Sequence, residues 1–163
     1  MAQVVETQEM FFTAFEPKTQ NRFIMYIDGL PSYLIKATAR PNLAIDVQTI
    51  DHINIKRKLR AGKAEWQDIS ITLYDPVVPS GAQAAMEWIR LSHESVTGRN
   101  GYADFYKKDL TINVLGPVGD YVEEWTIKGA FVNNMNPGTL DWSTGEFSTV
   151  ELTLSYDYAI LQY

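Results

Sequence analysis

The sequence predicts a mainly β fold: a single-domain β-sandwich or barrel of two packed antiparallel sheets with one flanking α-helix at about residues 81–97. Three observations predict it. Apolar and polar residues alternate in short runs along both halves of the chain, a helical period occurs once, and no repeat or linker divides the 163 residues. A chain of this length falls in the ~100–200 residues of a usual domain. It would hide roughly 68–70% of its unfolded surface, so it needs no disulfide or structural metal to hold a core. Strand patterns interrupted once by a helix are met by sheet packed on sheet with the helix at one side or end.

Residues 1–20 read as an N-terminal arm. They are mostly polar, yet Met10, Phe11, Phe12 and Phe15 make a cluster too aromatic for a disordered tail, so the arm is expected to dock. The domain proper is 21–163. Phe23 to Ile27 ends at Asp28-Gly29, and Tyr33 to Ala37 follows Pro31, a pattern that predicts a hairpin. Beyond Pro41-Asn42, Ile45–Ile50 and Ile53–Leu59 read as extended segments separated by Asp51-His52, with a turn at Arg60–Lys63.

Ile69, Ile71 and Leu73 alternate with Asp68, Ser70 and Thr72, the period of a strand with one buried side. Val150, Leu152, Leu154, Tyr156 and Tyr158 repeat that pattern against Glu151, Thr153, Ser155 and Asp157. Leu110, Ile112 and Val114, then Trp125, Ile127, Gly129 and Phe131, give two more strands around the turn Gly116–Asp120. The helix rests on Ala82, Ala85, Met86, Ile89, His93 and Val96, which form one apolar stripe. Pro79-Ser80 marks its start and Gly98 its stop.

Chemistry is sparse. Without cysteine there is no disulfide, zinc–thiolate site, iron–sulfur cluster or thiol nucleophile. His52 and His93 stand in no metal-binding spacing; the first reads as a turn residue and the second as part of the inward edge of the helix. No nucleophile elbow, phosphate loop or dinucleotide fingerprint occurs. Glu123 and Glu124 are adjacent, so on a strand one points inward or toward a partner and the other away. The expectation is a protein that is not an enzyme, with no cofactor and no metal. The start lacks a signal-peptide pattern and no run approaches 18 apolar residues, which predicts a soluble protein made in the cytoplasm without membrane insertion.

Charge is the feature that stands out. The formal net charge of -6 argues against a general affinity for nucleic acid, which needs a basic surface. That average hides an asymmetry: Lys56, Arg57, Lys58, Arg60 and Lys63 lie within eight positions, whereas Ala103–Tyr163 holds three basic residues against nine acidic. The basic run is open to three readings: a solvated hairpin tip, a nucleic-acid patch, or one side of a head-to-tail contact between copies. The last would generate rings or filaments. The polar faces of Asp68–Thr72 and Glu151–Asp157 carry no Lys or Arg, although exposed edge strands usually carry Lys. Such a face is either ordinary solvated surface or the wall of a water-filled interior.

A family resemblance joins these pieces. Ile35-Lys36-Ala37-Thr38-Ala39-Arg40-Pro41, Ile53 to Gly62 and Trp66-Gln67-Asp68-Ile69-Ser70-Ile71-Thr72-Leu73-Tyr74-Asp75 resemble the tail tube proteins of contractile-tailed, T-even-like bacteriophages. So do Ala85-Met86-Glu87-Trp88, Tyr106-Lys107-Lys108, Trp125 to Phe131, Leu140-Asp141-Trp142 and Val150 to Tyr158. The resemblance runs from about Asn21 to Tyr158. It implies a structural virion protein of the tail, assembled in the host cytoplasm as homohexameric rings. These rings would stack into the hollow inner tube of a contractile sheath, a conduit for genome ejection.

Its implied partners are further copies of itself, the sheath, baseplate and tail terminator proteins, a tape-measure protein in the lumen, and double-stranded DNA in transient passage. Six copies of a four-stranded sheet would close into a barrel of about 24 strands, roughly 37 Å across at ~4.8 Å per strand before tilt. The implied lumen-facing residues are Asp68, Ser70, Thr72, Glu151, Thr153 and Ser155, which offer phosphates no ion pairs. The implied inter-ring contacts are Lys56, Arg57, Lys58, Arg60 and Lys63.

Two other readings stand beside this one. The chain could form the inner tube of a tailocin, extracellular contractile injector or type VI secretion system. From a different class, it could be a monomeric carbohydrate-binding β-sandwich with Trp66, Trp125 or Trp142 as stacking platforms.

Overall fold

The computed structural model describes residues 16–163; the aromatic cluster Met10–Phe15 of the arm lies outside them. Nine strands form among the described residues, β1 Phe23–Ile27, β2 Ile35–Thr38, β3 Leu43–His52, β4 Ile55–Trp66, β5 Ile69–Tyr74, β6 Lys108–Leu115, β7 Tyr121–Asn136, β8 Thr149–Ser155 and β9 Tyr158–Leu161. Helix α1 spans Gly81–Ser92 and a single turn, α2, spans Ala103–Tyr106. All strand pairs are antiparallel.

One sheet runs β1-β6-β7-β9 and a second runs β2-β5-β8-β7, with β7 common to both. The first part of β7 pairs with β9 through Lys128 and with β6 through Ala130, and its last residues, Phe131–Asn136, pair with β8. Between them Gly129 takes φ +68, and the alternation of buried side chains shifts phase, from Ile127 to Ala130 and Val132. A Cβ at Gly129 would stand 2.2 Å from Asp157 Oδ2, so only glycine meets both the left-handed backbone and the close approach.

The alternation read from the sequence is the alternation of burial. Ile69, Ile71 and Leu73 on β5 face Leu154, Leu152 and Val150 on β8, all six buried. Met25 and Ile27 on β1 and Leu110 and Ile112 on β6 close the other wall of the same core. β1 and β2 do not form the expected hairpin: Pro31 and a 3-10 turn at Ser32–Leu34 carry the chain across to the second sheet, where β2 pairs with β5.

Helix α1 begins as expected, with Ser80 Oγ accepting from the Gln83 amide and Asp75 Oδ1 from those of Gly81 and Ala82. It stops earlier than the apolar period suggests. The chain turns extended at His93, and Glu94–Gly98 forms a separate turn closed by Gly98 N–H on the Glu94 carbonyl, so Val96 is exposed. His93 is not part of a buried edge; its exposed ring pairs Nδ1 with Asn100 Oδ1 at 2.9 Å. The residues that do face the core are Gly81, Ala85 and Trp88, the last donating from Nε1 to the Tyr106 carbonyl at 2.7 Å.

Candidate functional site

Two surfaces draw on the residues singled out by the sequence. The first is the outer face of the second sheet. Register pairs Ser70 with Thr153 and Thr72 with Glu151, so the polar residues of β5 and β8 share one face because their apolar neighbours share the other. Asp68 and Ser155 join them, with Ser155 Oγ donating to Asp68 Oδ1 at 2.9 Å and Asn133 Nδ2 donating to Asp68 Oδ2 at 2.8 Å. All six predicted residues therefore lie on one surface. The sequence reading missed its third strand: Asn134 lies beside Thr153 and Asn136 beside Glu151 on the end of β7. That region alternates weakly, and the phase shift at Gly129 hides which residues face out. Asp68 and Glu151 make no ion pair among the described residues, so the face is polar and weakly acidic.

This sheet has two open edges. Among the described residues, β2 is unpaired on one side and the last part of β7 on the other. Beside β2, between it and the start of β1, a groove of about 620 Å³ is flanked by Lys18, Arg22, Lys36 and Arg40. Two of these cations, Lys18 and Arg40, are ion-pair partners of the buried Glu123, which also accepts a hydrogen bond from Trp125 Nε1. Burial alone would raise the Glu123 carboxyl, but the Lys18 and Trp125 hydrogen bonds and the two cations outweigh it and hold the group below the usual carboxylate range. Glu124, its neighbour, points away and accepts from the Tyr163 hydroxyl at 3.1 Å, which fulfils the adjacent-carboxylate expectation.

The second surface is the β3–β4 hairpin. It is closed by the two-residue turn Ile53-Asn54, not at Asp51-His52, and β4 runs on through Arg60–Lys63, where a turn was expected. The basic run thus lies along an arm and not at a tip. Register divides it: Lys56, Lys58 and Arg60 sit opposite Asp51, Thr49 and Val47 on one face. Arg57 lies on the other, with Ile55 and Leu59, opposite Ile50, Gln48 and His52. Lys63 belongs to neither, because the register slips between Arg60 and Ala64 around Gly62, which adopts φ +65. Almost every side chain of the hairpin is exposed on both faces, including Ile50, Ile53, Ile55 and Leu59. A free two-stranded ribbon is at best marginal in water, so a hairpin this long and apolar calls for a partner.

Among the described residues no group of His, Asp or Glu could hold a metal ion, and no helix is long and apolar enough to cross a membrane. Trp66 packs on Tyr156 with ring centroids 6.1 Å apart and Trp125 packs against the core, so neither presents a free stacking face; Trp142 alone of the three is fully exposed.

The profile of the T4-like virus tail tube protein gp19 family matches residues 19–160. The chain belongs to that family. It is a tail tube protein, a structural component of a phage-type tail. No curated protein matches it. Its fold is shared with a chain of the sheath–tube complex of the PVC extracellular contractile injection system in the extended state, at 18% identity and a TM-score of 0.68 over 98% of this chain and 99% of that one. A chain of the anti-feeding prophage cap gives 21% identity and a TM-score of 0.69 over 97% and 99%. Hcp1 from Flavobacterium johnsoniae, at 12% identity and a TM-score of 0.50, covers 86% of this tail tube protein and 94% of its own length.

Proposed function

We propose that this tail tube protein forms homohexameric rings that stack into the inner tube of a contractile tail, with the second sheet as the lumen wall. The observation that carries the proposal is a four-stranded sheet that, among the described residues, has two unpaired edges and an outer face on which Asp68 and Glu151 have no ion-pair partner. Ring closure would pair β2 of one copy with the end of β7 of the next and leave no free edge. Six such sheets supply about 24 strands, wide enough for a DNA duplex at ~4.8 Å per strand. Asp68, Ser70, Thr72, Glu151, Thr153 and Ser155, with Asn134 and Asn136, would then line the bore. Lys36 on β2 lies over the outward Tyr74 ring, so the wall carries a cation beside Asp68 and Glu151; its excess of carboxylates still gives phosphates little to bind.

The β3–β4 hairpin makes the contact between rings, with Lys56, Lys58 and Arg60 on one face of it and Arg57 on the other. Sheath, baseplate, terminator and tape-measure proteins are the partners this reading entails, and it contains no catalytic step. Cryo-electron microscopy of the purified protein tests it. Six-fold rings or tubes with a central hole, the β5–β8 polar face inward, are expected; a protein that stays monomeric at all concentrations, or rings with that face outward, would overturn it. A protein-conducting tube of an injection system is the second reading, favoured by the fold shared with the PVC and anti-feeding prophage chains. Capsid and terminase genes beside the coding sequence decide for a virion tail, and their absence decides for an injector.

A further inference from the structure

The ends of the second sheet differ in chemistry, and the difference names the surface on which the hairpin docks. The hairpin leaves the sheet at the end of β2 and re-enters it at the start of β5, its base closed by the Gln67 amide on the Asn42 carbonyl at 2.9 Å. Ile69, the first residue of β5, pairs with Leu154 near the end of β8. The opposite end of the sheet is where β7 stops at Asn136 and β8 starts at Thr149, opposite Tyr74. The loop 137–148 and the residues that follow β5 emerge there, joined by the Asp75 amide on the Ser148 carbonyl at 3.2 Å. Hairpin and loop are therefore separated by the length of the sheet, about 20 Å for six residues.

The two ends are complementary. Loop 137–148 carries Asp141 and Glu146 and no cation, and exposes Leu140, Trp142 and Phe147 almost completely; Val77 and Val78 are exposed beside it. Asp141 is fixed in the loop by the Ser143 amide and hydroxyl, whose hydrogen bonds hold its carboxyl below the usual range and so keep it ionised. The hairpin offers the counterpart, exposed Ile50, Ile55 and Leu59 with Arg57 on the same face. At its tip stands Ile53, fully exposed with φ +49, a backbone region costly for a β-branched residue. Asn or Gly would close such a turn without strain, so the apolar side chain there needs a reason outside the hairpin.

We propose that the Ile50–Ile55–Leu59 face and the Ile53 tip of the hairpin dock on loop 137–148 of a second copy, with Arg57 meeting Asp141 and Glu146. The contact is heterologous and joins opposite ends of two sheets, so it adds copies along the strand direction without closing. Lys56, Lys58 and Arg60, on the reverse face, stay outside it. This inference rests on the tube reading and specifies its inter-ring joint.

The absence of cysteine allows a direct test. Ile55→Cys and Trp142→Cys copies are mixed, assembled and mildly oxidised, with Ile55→Cys plus Val118→Cys as the control mixture. The expected product is a disulfide-linked dimer holding one copy of each variant, at least about tenfold above the control. Tubes visible by negative stain without that excess overturn the docking and leave the tube reading intact; wild-type protein that forms neither rings nor tubes overturns the tube reading itself. Should the cysteine mixture fail to assemble, Arg57→Glu and Glu146→Arg decide. Each alone is expected to lower tube yield about tenfold and the double variant to restore it; a double variant as defective as the singles overturns the docking.

Discussion

Ile71 and Leu152 face each other across β5 and β8 and are fully buried, whereas Ile50 and Ile55, on an antiparallel pair built from the same residue types, are 41% and 66% exposed. Both regions alternate apolar with polar residues, and both have well-defined register. They differ in what lies against the apolar side. The sandwich supplies a second sheet and helix α1, while the hairpin has only itself. Apolar periodicity thus states that a face will be covered, not by which molecule. In the sandwich the hydrophobic term holds the monomer together; in the hairpin the same kind of surface stays exposed in the single chain.

Mutation should separate the two regions cleanly. The largest effect belongs to the core: Leu152→Ala is expected to cost about 2–5 kcal/mol through lost burial and the cavity left behind, read as a lowered midpoint in denaturant. Gly129→Ala comes next, at about 1–3 kcal/mol, because it places a side chain at positive φ against the Asp157 carboxylate. A midpoint within error of wild type would show that β7 does not need its left-handed step. Glu123→Gln should cost about 1–2 kcal/mol, discounted because Lys18 and Arg40 are about half exposed.

The pH dependence of that third variant has a definite sign. The folded carboxyl lies below its unfolded value, so its contribution is complete above about pH 4.3 and is lost as pH falls through the lowered folded value. The gap in thermal midpoint between wild type and Glu123→Gln should therefore narrow only in strong acid. The smallest change in monomer stability, within about 0.5 kcal/mol, is expected for the double reversal Lys58→Glu and Arg60→Glu. Because Lys58 and Arg60 lie on the hairpin face that stays outside the proposed joint, the same variant should still grow tubes of normal length; failed tube growth would place these cations in the inter-ring contact.

Periodicity made the sandwich strands legible in the sequence because β5 and β8 each bury one face in the core and leave the other more open, and β6 keeps its apolar residues on the core side. It erred where a local signal was overridden. Phe23–Ile27 and Tyr33–Ala37 look like a hairpin until Pro31 and Ser32–Leu34 send the second strand to another sheet. The helical stripe continues in sequence to Val96, but no sheet lies under it past Ser92 and the chain turns away. The lumen candidates came out together on one face since alternation forces that result, while Asn134 and Asn136 escaped notice beyond the phase shift at Gly129. For the basic run, composition located the cations, yet only register could divide Lys56, Lys58 and Arg60 from Arg57.

Strand β7 is one unbroken length of backbone whose first part belongs to one sheet and whose last part belongs to the other. Two sheets held only by side-chain packing can slip past each other under load, since dispersion contacts resist shear weakly and re-form in a shifted register. Here any slip would have to bend or break a hydrogen-bonded strand at Gly129. A force applied to the first sheet therefore reaches the polar face of the second through covalent bonds, and the two sheets yield as a single plate.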